Sequence, residues 1–307
     1  MIPVLLAIAG LCHVAALITP FVEMRAGFSG ETYGLIPSVT MLWEHGLPWL
    51  ALLVIAFSIV FPFAKLAVLG WVWLAPAPTP GRRTALALVE TLGKWSMLDI
   101  FLVCLLLGVT SGQMLVVTRP LIGVPCFLAG VVATMIAGAL CARRWHQPPL
   151  GDATHRRNRG ARWLLLLAAI SLLIAQIMPL VGIGGLLLRD RDFTIGALVL
   201  ALGDSQAFTL AATVAATVLV LPWIALALQV RAANGGRQRL GVQAIADAVQ
   251  RWAMLDVFAF ALALFLLESR DLVPVTPGWG GACALGATVL LHQGASWWIR
   301  RTLEQAD

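Results

Sequence analysis

The heptapeptide Trp95-Ser-Met-Leu-Asp-Ile-Phe101 recurs as Trp252-Ala-Met-Leu-Asp-Val-Phe258, so the chain is one module written twice, and any fold it adopts has to be adopted twice. Prolines keep the same register: Pro20 answers Pro179, Pro62 answers Pro222, and Pro120 answers Pro277. The repeated acids are Asp99 and Asp256.

What one module can be follows from composition. Hydrophobic residues make up 60% of the 307 positions and charged residues 12%, about half the charge of an average soluble protein. Too little polar surface remains to coat a water-soluble core of this size. Apolar windows able to cross a hydrocarbon layer of roughly 30 Å fall near residues 2–19, 47–74, 97–117, 121–141, 163–188, 207–229, 253–267 and 280–299. The expectation is an all-α polytopic membrane protein with eight transmembrane helices in two tandem four-helix modules. An even number of spans per module makes the repeats parallel, related by an axis along the membrane normal. The first module is expected at 1–145, a basic cytoplasmic linker at 146–161, and the second module at 162–303. The linker reading rests on Pro148-Pro149, Gly151, His155 and a cluster of Arg.

Basic residues set the orientation, because Arg and Lys are retained on the cytoplasmic side. Fifteen of the 21 basic residues fall on one side: Arg82, Arg83, Lys94, Arg143, Arg144, Arg156, Arg157, Arg159, Arg162, Arg231, Arg237, Arg239, Arg251, Arg300 and Arg301. Both termini are then cytoplasmic. The formal charge of +6 reads as a topology and anionic-lipid signal and not as a nucleic-acid footprint. The apolar amino terminus lacks a positive n-region and is expected to stay as a first helix. Cys12, Cys104, Cys126, Cys141 and Cys283 form no CxxC pair, and His13, His45, His146, His155 and His292 have no ligand spacing, so no metal site or disulfide framework is expected.

Polar groups inside the spans carry what chemistry there is. Lys65, in Phe61-Pro-Phe-Ala-Lys65, is the one cation expected within a span, and insertion scales charge at least ~2.5 kcal/mol for it. With Trp71 and Trp95 as interface markers, Lys65 and Asp99 lie about 9 Å and about 6 Å inside the inner boundary. They can meet if their helices touch, as an ion pair that exchanges protons. Alternatively, Lys65 snorkels to the headgroups. Asp99 and Asp256 could equally complement helix dipoles, and Ser96-x-x-Asp99 fits a capping box. The second module has Ala225 for the lysine and Ala253 for the serine. Pro62 and Pro222 should kink their helices as hinges or as static bends. Ser58 and Thr134 are intramembrane hydroxyls, either functional or bonded to backbone. His292-Gln293 is a minor relay candidate, and glycines such as those of Gly182-Ile-Gly-Gly185 suit helix packing or helix ends. No nucleophile elbow or phosphate loop is present, so an enzyme is not expected and no cofactor is implied.

The run Phe61-Pro-Phe-Ala-Lys65 with Lys94-Trp-Ser-Met-Leu-Asp-Ile-Phe101, repeated as Leu221-Pro-Trp and Arg251-Trp-Ala-Met-Leu-Asp-Val-Phe258, resembles the paraquat-inducible protein A family, PqiA-like and LetA-like, over both modules. The resemblance implies a bacterial inner-membrane protein that works with a periplasmic MCE-domain partner to move phospholipid or a related amphiphile between inner and outer membranes. It also implies a polar intramembrane network at Ser58, Lys65, Asp99 and Thr134. A non-transporting anchor or gate for an MCE assembly is the alternative. Such families carry CxxC zinc-ribbon pairs, which this chain lacks, so zinc is not implied.

Overall fold

The computed structural model describes residues 1–26, 29–44, 48–74, 80–110, 116–145, 159–185, 188–234, 239–268 and 275–304. Most of the expected linker, with Pro148, Pro149, Gly151 and His155, lies outside them, as do His45, His146, Arg237 and Arg270. The chain divides into two compact units, residues 1–147 with 202–210, and residues 148–201 with 211–307.

The first unit runs α1 (Ile2–Ile18), β1 (Pro20–Ala26), β2 (Ser29–Gly34), α2 (Leu35–Glu44), α3 (Pro48–Val54), a π turn (Ile55–Val60), α4 (Phe61–Trp73), α5 (Pro80–Leu92), a 3-10 turn (Gly93–Met97), α6 (Leu98–Thr110), β3 (Val116–Pro120) and α7 (Gly123–Trp145). The rest repeats that order as α8 (Arg159–Ile177), β4 (Val181–Gly185), β5 (Leu188–Phe193), α9 (Ile195–Asp204), α10 (Phe208–Val214), a π turn (Ala215–Val220), α11 (Leu221–Asn234), α12 (Arg239–Trp252), α13 (Leu255–Glu268), β6 (Val275–Pro277) and α14 (Trp279–Glu304).

Among the described residues, six stretches are long and apolar enough to cross a membrane: Ala51–Trp73, Thr84–Gly108, Gly123–Ala142, Gly160–Ile177, Phe208–Ala233 and Ile245–Leu267. Their outer faces suit lipid. On α8, Leu166, Leu167, Ile170, Leu173 and Ile177 are exposed, an apolar stripe that water would not tolerate. The protein is thus multi-pass. α1 is a shorter apolar helix, and α14 carries His292 and Gln293 midway; these two would complete the expected eight.

Three expectations need correction. The fold is not purely α. The polar loops after α1 and α8 fold as hairpins, and each gains a third strand from the segment before α7 or α14, giving antiparallel sheets in the orders β2-β1-β3 and β5-β4-β6. In the first, Val22 pairs with both Tyr33 and Pro120; in the second, Val181 pairs with Phe193 and Pro277. Pro120 and Pro277 sit on edge strands, where a missing N–H leaves no ladder bond unmade. Strands this short, rich in Gly and Arg, give no alternating apolar signal, which is why they read as loops. Arg119 and Pro120, between the third and fourth apolar windows, belong to that paired strand.

Secondly, the basic stretch before the third span is helical, as α5, and its counterpart is α12. Leu86 and Val89 are buried against Leu69, Val72, Ala137 and Cys141 at the end of the unit opposite the sheet. Their spacing puts them on one helical face, a pattern that an averaged apolar window dilutes with the neighbouring charges.

Finally, Pro62 and Pro222 each follow a π turn, not a simple kink. Proline has no N–H to offer and its ring crowds the carbonyl one turn back. Widening the preceding turn relieves this: the Phe61 N–H donates to the Ala56 carbonyl and the Leu221 N–H to the Ala216 carbonyl. In hydrocarbon the displaced carbonyls need other donors. The Gln176 side chain on α8 donates to the Leu219 carbonyl at 3.3 Å and accepts from the Trp223 indole at 3.0 Å. The Met254 N–H, where α12 breaks before α13, donates to the Thr217 carbonyl at 3.2 Å.

Gln176→Leu should therefore strand two polar groups and cost about 1–3 kcal/mol. A several-degree fall in thermal midpoint of the detergent-purified protein is expected; an unchanged midpoint would show that the Gln176 bonds contribute nothing.

Candidate polar site within the helical units

In the first unit, α1 packs along α7, and α4 packs against both. The inward face of the π turn and α4 presents Ser58, Pro62, Lys65, Leu69 and Val72, all buried. This places a hydroxyl and an ammonium on one stripe otherwise made of apolar side chains. Lys65 is 3% exposed and Asp99 8%. Among the described residues, the Lys65 Nζ, both Asp99 carboxylate oxygens and the Ser58 hydroxyl have no hydrogen-bond partner.

Lys65 does not snorkel. Its amine points to the 3-10 turn between α5 and α6, where a Cβ built on Gly93 would stand 3.1 Å from Nζ and 3.4 Å from Cε. Gly93 makes room for the ammonium at the entrance to the helix that carries Asp99. The Ser96 hydroxyl donates to the Gly93 carbonyl at 2.7 Å, which holds that turn closed instead of capping α6. Asp99 sits in the first turn of α6, where its charge is favoured by the helix dipole, but its carboxylate is bonded to nothing. Thr134 is buried on α7 and donates to the Val131 carbonyl at 2.7 Å, the backbone-bonded role.

One buried group escaped the sequence reading. His13 on α1 is 2% exposed, its two ring nitrogens have no hydrogen-bond partner, and it lies in range of the Lys65 charge. A histidine in an otherwise apolar span was the available signal.

The second unit keeps the frame and changes the contents. Taking Pro222 for Pro62, Val218 stands for Ser58 and Ala225 for Lys65; taking Asp256 for Asp99, Gln250 stands for Gly93. Buried Gln229 on α11 donates to the Gln250 side chain at 2.9 Å and to Ser296 on α14 at 2.8 Å, and Ser296 donates to the His292 carbonyl at 2.9 Å. This network is neutral and its donors bond within it, while the Gln229 Oε1 has no hydrogen-bond partner among the described residues. Asp256 is half-buried and has interactions of its own. His292 thus enters through its backbone, and Gln229, Gln250 and Ser296 were not anticipated, since single amides and hydroxyls in apolar sequence carry no spacing pattern.

The five cysteines are free, and no cluster of three or more His, Cys, Asp or Glu side chains occurs among the described residues.

If Gly93 is small in order to seat the lysine, Gly93→Ala should destabilise the protein by about 1–3 kcal/mol and lose that cost when Lys65 is also alanine. A double-mutant cycle by thermal unfolding measures the coupling; equal costs in both backgrounds would separate the two residues.

Comparison with characterised proteins and with solved structures finds no match. The profile of the family described as Paraquat-inducible protein A matches residues 2–147 and again 160–304. With two copies of the profile covering nearly the whole chain, and with the Pro-kinked helix and Trp-x-Met-Leu-Asp helix start placed alike in both, the chain belongs to the paraquat-inducible protein A family.

Proposed function

We propose that this protein is an inner-membrane component of lipid traffic between the two membranes of a bacterial envelope, and not an enzyme. It loads or removes phospholipid or a related amphiphile for a periplasmic MCE-domain partner. On this reading α1 and α14 are the remaining two of eight spans, the two modules are parallel, and both termini are cytoplasmic. The sheets then face the partner's side. α1, at seventeen residues, spans about 25 Å, close to the hydrocarbon thickness.

The observation that carries the proposal is the unpaired burial of Lys65 and Asp99 in the first unit. A static pair would be expected to bond, because unpaired ionisable groups in a low-dielectric interior cost more than packing repays. Groups held apart but buried can take up and release protons as the unit changes shape. Proton movement through Lys65 and Asp99 would supply energy to a chain that has no nucleotide-binding motif. The π turns supply the deformable element, since such turns relax to α geometry with a shift of one residue.

A second reading, a membrane anchor or gate that recruits an MCE assembly without moving lipid, draws on the second unit. Its Gln229, Gln250 and Ser296 side chains are neutral and bonded to one another, as in a rigid support.

Lys65→Ala and Asp99→Asn separate the two. Transport predicts normal protein levels, a changed set of co-purified lipids by native mass spectrometry, and loss of envelope lipid balance in cells. The anchor reading predicts that any loss of function follows loss of protein. Wild-type behaviour in both variants would remove proton coupling at this pair.

A further inference from the structure

His13 is built into the first unit as a polar group that the packing does not need. Its ring stands edge-on to Phe127 with centroids 5.6 Å apart and lies 6.1 Å from Phe63. A Cβ built on Gly130 of α7 would stand 2.8 Å from Cε1, 2.9 Å from Nδ1 and 3.1 Å from Nε2. The nitrogen-bearing edge is thus pressed against the one residue type that leaves it room. A neutral imidazole carries one donor and one acceptor, and neither has a partner here.

The second unit shows that the place can be filled without that cost. Taking Pro179 for Pro20, the residue at the His13 position is Leu172, fully buried. The same unit has Ala225 for Lys65. Where the lysine is gone, so is the histidine, while the helices around them remain.

Height within the unit gives His13 a direction. Gly10 packs on Leu66 and His13 on Phe63, so α1 runs antiparallel to α4 and His13 stands on the sheet side of Lys65. Beyond it, towards the sheet, Phe21 packs edge-on to Phe127 at 5.9 Å. On the other side of Lys65, Leu69, Val72, Leu86, Val89, Ala137 and Cys141 close the unit with apolar side chains. His13 therefore lies between Lys65 and the aromatic cap at the sheet end. The charged group in range of it is Lys65 from α4, whose field reaches the imidazole, and Cys12 precedes it on α1. A second positive charge near the first is costly in a low-dielectric site.

We infer that His13 is the proton relay between Lys65 and the sheet end of the first unit. The inference rests on the proton coupling proposed above and adds a route to it. An imidazole nitrogen takes a proton from a hydronium ion at the sheet end, giving an imidazolium and water. The other nitrogen passes its proton, through water that bridges the two groups as the unit changes shape, to the neutral Lys65 amine, leaving an ammonium and a neutral imidazole in the opposite tautomer.

The test uses the full chain in vesicles of phosphatidylethanolamine and phosphatidylglycerol, loaded with a pH-sensitive dye and driven by a potassium diffusion potential. His13→Phe and His13→Gln should each lower proton flux at least tenfold, matching Lys65→Ala, with monodispersity and thermal midpoint unchanged. In ¹⁵N-histidine spectra the signal missing from His13→Gln should titrate, with a midpoint that shifts in Lys65→Ala. Wild-type flux in both His13 variants, with flux lost in Lys65→Ala, overturns the relay and leaves coupling at Lys65 standing. Flux no higher than that of empty vesicles in the wild type removes the coupling and the relay together. Should the His13 variants lose both flux and fold, a His13 signal insensitive to pH and to Lys65→Ala overturns the relay.

Discussion

Hydrocarbon donates and accepts no hydrogen bonds, so every polar group taken into a membrane-spanning helix has to find its partner inside the protein. The two units meet that constraint in opposite ways. In the second, Pro222 displaces backbone carbonyls, Gln176 and the Met254 N–H come to meet them, and the amides of Gln229 and Gln250 bond to each other and to Ser296. In the first, His13, Ser58, Lys65 and Asp99, at positions that hold Leu172, Val218, Ala225 and Asp256 in the second, are buried and without hydrogen-bond partners among the described residues. The first unit thus buries two groups that are charged in water, Lys65 and Asp99, without bonding them, which is why functional weight falls there.

The scaffold that makes this possible is itself shaped by proline. Both π turns precede a proline in the middle of an apolar stretch, and both lie beside the break that precedes the Leu98–Thr110 or Leu255–Glu268 helix. Each interruption frees backbone groups, and placing two interruptions side by side lets one answer the other, as Met254 answers Thr217. The repeated Trp-x-Met-Leu-Asp segment is thus the start of a helix whose first turn faces a locally opened neighbour. Dipole complementarity and a buried role for the acid are compatible at that place, because a first-turn carboxylate is favoured by the helix end even when no side chain bonds to it.

Much of this was legible before any coordinates. The repeat, the membrane class, the equivalence of Pro62 with Pro222 and the prominence of Lys65 and Asp99 all come from identity, composition and position. The sheets were not legible, because strands such as Val181–Gly185 and Val275–Pro277 are too short and too glycine- and proline-rich to show alternation. Helix α5 was hidden by its own charges, since its signal is the burial of Leu86 and Val89 on one face and not an apolar average. His13 was visible as a residue but not as a site, for nothing in its neighbourhood along the chain says that Phe63, Gly130 and Lys65 will surround it.

By itself the sequence determined that one module is used twice, that it lives among apolar surroundings, and that a lysine and two acids are placed where solvation is poorest. Those conclusions depend on composition and local spacing, which are properties of the chain. The tertiary structure decided which polar groups meet and which are left alone: that Lys65 rests on Gly93, that His13 is held on Gly130, and that Gln229 reaches Gln250 and Ser296. Helix packing brings together residues distant in sequence, and whether a buried group is satisfied is a property of that packing and of nothing nearer along the chain.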